Sequence, residues 1–185
     1  TSSLKKGANA IGVTVGNGWY KGTIGFNNNH DYYGKDISLL FQLNIIYEDG
    51  TKEIISSDDS WKYNSGSIQY SEIYNGETID AGKEKTGWLN VGYNDKDWEK
   101  VKVADYPFNN LITTQNELVK QHEIIKPVKI FTTPKGEKVI DFGQNLVGWV
   151  SIKLKGKSGN KIILSHAEVL DKKGNFYTDN LRGAK

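Results

Sequence analysis

The chain has 185 residues, 24 basic against 22 acidic, and a formal net charge of +2 with no basic stripe, so it lacks the electrostatic footprint of a nucleic-acid binder. No apolar run approaches the roughly 20 residues that span a bilayer, no basic-then-apolar leader opens the sequence, and zero cysteines remove disulfides and thiolate metal sites. Twenty glycines, ten tyrosines and five tryptophans describe a turn-rich, aromatic β protein, long enough to bury a core and expected to be soluble, with its compartment, cytoplasmic or exported, left open.

Residues 1–10 read as the tail of a turn begun earlier, so the chain is expected to be a fragment. Residues 8–15 alternate, with Ile11, Val13 and Val15 on one face, and predict a strand that stops at the Gly16-Asn17-Gly18 turn. Trp19 and Tyr20 emerge beside that turn. Residues 21–35, rich in Gly, Asn and Tyr without periodicity, predict an exposed irregular loop. Leu39, Phe41, Leu43, Ile45 and Tyr47 share the next alternating face, and residues 48–51 close a hairpin against residues 52–56. Residues 57–60 form a polar corner, after which Trp61 and Tyr63 lie on one strand face. Residues 105–116 lapse into Pro, Asn, Thr and Gln, a composition shift that places a boundary near residue 119 and divides the chain into 1–119 and 120–185.

Beyond the boundary, residues 123–131 are extended, with Pro127 favouring an edge, and residues 134–136 turn the chain into a strand at Val139. Val150, Ile152 and Leu154 alternate with Ser151, Lys153 and Lys155, a half-buried strand that includes Trp149 as a core or interface residue. A turn at 156–160, an apolar strand at 161–170 and a turn at 171–175, where Gly174 supplies a positive φ, complete a predicted β-meander over residues 139–185. The expected class is therefore all-β, with short strands at sandwich spacing.

Chemistry is sparse. The neighbouring acids Asp58–Asp59 and Asp95–Asp97 fit polar turns, His166 fits a structural role, Asp141 fits a backbone-satisfying bend, and Gly16, Gly18 and Gly22 have neither the spacing nor the following helix of a phosphate loop. Trp19 is either a sugar platform, with Asn17 reaching pyranose hydroxyls, or a core residue. Asn75, Glu77 and Asp80 are either three oxygen ligands for calcium, which takes about 6 to 8, or a solvated, hydrogen-bonded strand end.

The run DFGQNLVGW at 141–149, followed by HAEVLDKKGNFYTDNLRGA at 166–184, resembles the signature of bacterial α-L-rhamnosidases, in an accessory β-domain ahead of the catalytic barrel. GANAIGVTVGNGWYKG at 7–22 and SEIYNGETIDA at 71–81 agree in order and spacing with the amino-terminal carbohydrate-binding-like module of that family. The resemblance implies a galactose-binding-like jelly roll missing its first strands, joined to the opening strands of a second β-sandwich. It also implies a parent glycoside hydrolase that removes terminal α-L-rhamnose from glycans by inversion, its acid and base lying in a downstream (α/α)6 barrel. No catalytic residue is then expected here, the chain alone should be inactive, and no cofactor is required, although some such modules bind L-rhamnose through calcium. The alternatives are a stand-alone calcium-assisted carbohydrate-binding module and a purely structural spacer.

Overall fold

The computed structural model describes residues 3–25, 27 and 29–182. Positions 26 and 28 of the predicted loop, and the ends at 1–2 and 183–185, lie outside the described residues. The chain divides into two compact units, Thr1–Asn110 and Leu111–Lys185. Among the described residues ten strands form five two-stranded antiparallel ladders, and helix is confined to one turn of α-helix and three 3-10 turns. The protein is all-β. No helix among the described residues is long and apolar enough to cross a membrane.

In the first unit, β1 (Gln42–Ile46) pairs with β2 (Lys52–Ser56) in the register Gln42↔Ser56 through Ile46↔Lys52. The turn between them is set by Gly50 at φ 81°, whose amide donates to the Tyr47 carbonyl at 3.0 Å, and by Asp49, whose Oδ1 accepts from the Thr51 amide at 2.9 Å and hydroxyl at 2.6 Å. The alternation works as the sequence requires: Leu43, Ile45 and Ile55 are half-buried while Asn44, Ile46 and Ile54 face out. Leu43 and Ile45 line a shallow groove with Leu4, Ile11 and Leu89, and Phe41 stacks obliquely on Trp61 at 5.4 Å. A second hairpin joins β4 (Ile68–Glu72) to β5 (Gly76–Ile79), with a register shift between Ile68 and Tyr70.

One pairing in this unit is not local. β3 (Lys62–Tyr63) meets β6 (Glu99–Lys100), which puts Lys62 directly opposite Lys100. Like charges there repel, and Lys62 turns instead to Asp95, Nζ to Oδ1 at 2.9 Å, while Tyr63 donates to Glu99 at 2.7 Å. Trp98 packs at 6.2 Å from Trp88 and 5.8 Å from Tyr93, and both tryptophans are half-buried in this corner.

In the second unit, β7 (Lys129–Thr132) and β8 (Lys138–Asp141) form a hairpin over the expected turn, with Gly136 at φ 87°. β9 (Val169–Leu170) and β10 (Phe176–Tyr177) form another, with Gly174 at φ 81° as the sequence predicts. Two polar residues knot these turns together. Thr133 and Asn175 are 5% and 3% exposed, and Asn175 Oδ1 accepts from the Lys135 amide at 3.1 Å. The Glu137 carboxylate takes the Thr133 hydroxyl at 2.6 Å and the Phe176 amide at 3.1 Å, and Asp171 Oδ1 takes the Asn175 amide at 2.7 Å. Both buried side chains are thus satisfied, as burial of polar groups requires.

Several expectations are corrected. Residues 8–15 join no ladder among the described residues, and Gly12 sits against the Trp88 ring and Leu89, where a Cβ would collide. A four-residue helix α1 (Gly18–Lys21) does follow Gly16 and Asn17, closed by the Lys21 amide on the Asn17 carbonyl and the Gly22 amide on the Gly18 carbonyl, each at 3.1 Å. Of the meander over 139–185, β8, the turn at 157–160 and the β9–β10 hairpin form; residues 144–156 and 161–168 join no ladder among the described residues, and Trp149 is 68% exposed, so it is not a core residue of this unit. No apolar side chain among the described residues is fully buried. A two-stranded ladder offers only one cross-strand layer and cannot close over both of its faces by itself.

Candidate functional site

One corner of the first unit brings together aromatic side chains from α1 and the β4–β5 turn. α1 carries Trp19 and Tyr20 outward, 44% and 45% exposed, and only glycine fits at position 22, since a Cβ there would run into the Gly18 carbonyl. Asn17 occupies the position before the helix with helical backbone angles, its carbonyl accepting from Lys21 at 3.1 Å while its side chain makes no capping bond. Tyr74, in the β4–β5 turn, meets Trp19 edge-on with ring centroids 5.5 Å apart and an interplanar angle of 69°.

What joins the two segments is a carboxylate. Glu72 Oε2 accepts from the Thr23 hydroxyl at 2.6 Å, the Thr23 amide at 3.1 Å and the Asn75 side-chain amide at 3.1 Å, and the same Asn75 amide donates to Thr23 Oγ1 at 3.1 Å. The Thr23 hydroxyl is the main reason that the Glu72 carboxyl is held down from 4.5 to about 2; partial burial opposes it, and the Thr23 amide, Asn75 and Tyr70 add to it. Glu72 is therefore ionised throughout the neutral range and cannot donate a proton. The loop after α1 folds back on it: the Asp31 amide donates to the Lys21 carbonyl at 2.9 Å, the Tyr33 amide to Tyr20 at 3.2 Å, and Tyr32 and Tyr33 meet edge-on at 5.0 Å. The predicted irregular loop is thus tied down at its end. A Cβ at Gly34 would strike the Tyr20 hydroxyl and the tip of its ring, so the loop backbone comes close to that ring only because residue 34 is glycine.

The two sets of site residues read from the sequence meet here in part. Asn75 joins the corner that holds Asn17 and Trp19. It does so from the turn preceding β5 rather than from the strand, so the alternation expected to align it with Glu77 does not apply. Glu77 lies opposite Ser71 in the ladder, and Asp80 caps the 3-10 turn Ala81–Lys83, its Oδ1 accepting from the Gly82 amide at 3.0 Å. With the Asn75 amide nitrogen on Glu72 and one Asp80 oxygen on Gly82, these three residues alone fall short of a calcium shell of about 6 to 8 oxygens. No three His, Cys, Asp or Glu side chains among the described residues come together as a metal would require. Two of the other acids behave as turn residues: Asp58 Oδ1 accepts from the Ser60 amide at 2.9 Å, and Asp141 Oδ1 from the Gly143 amide at 2.7 Å. Thr23, Glu72 and Tyr74 went unnoticed in the sequence, because Thr23 and Glu72 lie 49 positions apart with no local signature of their contact.

Exposed aromatic edges beside polar side chains form a surface that can hold a ligand. Residues 1–123 match the family described as alpha-L-rhamnosidase N-terminal domain, and residues 131–185 match the bacterial alpha-L-rhamnosidase concanavalin-like domain. The chain belongs to the α-L-rhamnosidase family. The α-L-rhamnosidase of Streptomyces avermitilis is 41% identical over 185 residues, all of this chain and 18% of that protein. The crystal structure of the native enzyme from Aspergillus terreus superposes with a TM-score of 0.85 at 40% identity, over 92% of this chain and 20% of that one. The Streptomyces avermitilis enzyme complexed with L-rhamnose gives 0.81 at 38% identity, over 91% of this chain and 16% of that one. The chain thus spans about a fifth of the length of the rhamnosidases it matches. The expected β-sandwich class agrees with the concanavalin-like domain that the second match describes.

Proposed function

We propose that this chain is an accessory, non-catalytic part of an α-L-rhamnosidase that hydrolyses terminal α-L-rhamnose from glycans. In this reading residues 1–119 form a jelly-roll module and residues 120–185 open a second β-sandwich. Together they scaffold a downstream catalytic barrel of the same polypeptide and offer a sugar the corner around Trp19. The observation that carries the reading is the match along the whole chain to a fifth of each relative's length. The corner supports sugar binding, since Trp19 presents an aromatic surface to the C–H face of a pyranose with the Asn17 amide beside it.

Purified chain incubated with an aryl α-L-rhamnoside is expected to release no aglycone; measured turnover would overturn the non-catalytic assignment. Isothermal titration with L-rhamnose is expected to show saturable binding that Trp19→Ala abolishes, and a spacer without a site would show no heat. Repeating the titration with a chelator separates the modes: loss of binding supports calcium assistance through Asn75, Glu77 and Asp80, and undiminished binding rejects it.

A further inference from the structure

We infer that Glu72 is the positioning residue of the aromatic corner: its Oε2 atom draws Thr23 and Asn75 together and so fixes how Trp19 and Tyr74 present themselves to a sugar. The inference rests on the sugar-binding reading above. Three donors from two segments converge on one oxygen, at 2.6, 3.1 and 3.1 Å. Thr23 stands just past the helix that carries Trp19, and Asn75 directly follows Tyr74, so each ring is a short covalent step from an anchored residue. Among the described residues, every hydrogen bond between the α1 segment, residues 17–25, and the β4–β5 turn region, residues 72–76, runs through Thr23. The ring contact itself is a single edge-on approach and specifies little without that tie. Hydrogen bonds to an ionised acceptor are the stronger class, so removing the charge while keeping the shape should loosen the corner and leave the rest of the chain folded.

The test compares wild-type chain with Glu72→Gln, Thr23→Val and Thr23→Ser, and uses Glu137→Gln as a control. Glu137 holds a similar carboxylate network in the second unit, so its loss reports stability alone. The readouts are thermal unfolding, nuclear Overhauser contacts between the Trp19 and Tyr74 rings, and L-rhamnose affinity by titration well below the unfolding temperature. Glu72→Gln and Thr23→Val are expected to lose the ring contacts and to weaken L-rhamnose binding about tenfold, whereas Thr23→Ser retains both. Glu137→Gln should lower the unfolding temperature and leave contacts and affinity intact. Unchanged ring contacts or unchanged affinity in Glu72→Gln, or an equal loss of affinity in Glu137→Gln, overturns the inference. If Glu72→Gln fails to fold, Thr23→Val decides. If wild-type chain takes up no L-rhamnose, the sugar-binding reading fails, while the ring contacts still decide whether Glu72 sets the corner.

Discussion

Because the Glu72 carboxyl is held at about 2 in the folded chain against an ordinary 4.5, the folded state binds fewer protons than the unfolded one across that interval. Its contribution is fully present above pH 4.5 and is lost as the pH falls toward 2. Glu137, Asp171, Asp49 and Asp58 are lowered in the same direction, each chiefly by a side-chain hydrogen bond from Thr133, Asn175, Thr51 and Ser60 respectively. The unfolding temperature of wild-type chain should therefore fall through the acid range, and Glu72→Gln should flatten part of that fall. An equally steep acid profile in the variant would show that Glu72 is not linked to folding. Gly12 makes a steric prediction: Gly12→Ala drives a Cβ into the Trp88 ring and Leu89 and should cost about 1–3 kcal/mol in denaturant unfolding.

The hairpins differ in what their sequences announce. β1–β2 was legible because alternating apolar residues flank an Asp-Gly turn, and β7–β8 and β9–β10 because Pro134–Gly136 and Asp171–Asn175 hold the residues that tight turns need. Alternation at Val150, Ile152 and Leu154 predicts which side chains share a face, but says nothing of the strand that would pair with them, and none among the described residues does. The Thr23–Glu72 and Thr133–Glu137–Phe176 ties were not legible, since hydrogen bonds between distant segments leave no period in the sequence. The candidate site was legible in its ring and its amides, Trp19, Asn17 and Asn75, and opaque in its anchor. Hydrogen exchange should follow the ladders, with slow amides in Gln42–Ile46 and Lys129–Thr132 and fast ones over residues 144–157. Uniform protection across both sets would contradict this pairing scheme. Asn175→Ala, which strips the Lys135 amide of its buried acceptor, should cost about 1–3 kcal/mol in thermal unfolding.

Across the molecule, the absence of a fully buried apolar side chain among the described residues sits beside the match to a fifth of much longer rhamnosidases. Ladders whose apolar faces stay half open are suited to being covered by further polypeptide, as the proposed scaffold role requires. Residues 111–128, which follow the last residue of the first compact unit, run without a ladder, and Ile112 and Val119 stand 85% and 90% exposed. Backbone of that kind fits a protease cleft. Brief trypsin treatment is expected to open the chain first at Lys120, since the bond after Lys126 precedes Pro127 and resists the enzyme. The same stretch is where a gene could be split, so that each half is made separately, isotope-labelled alone, and assayed for rhamnose without signals from the other.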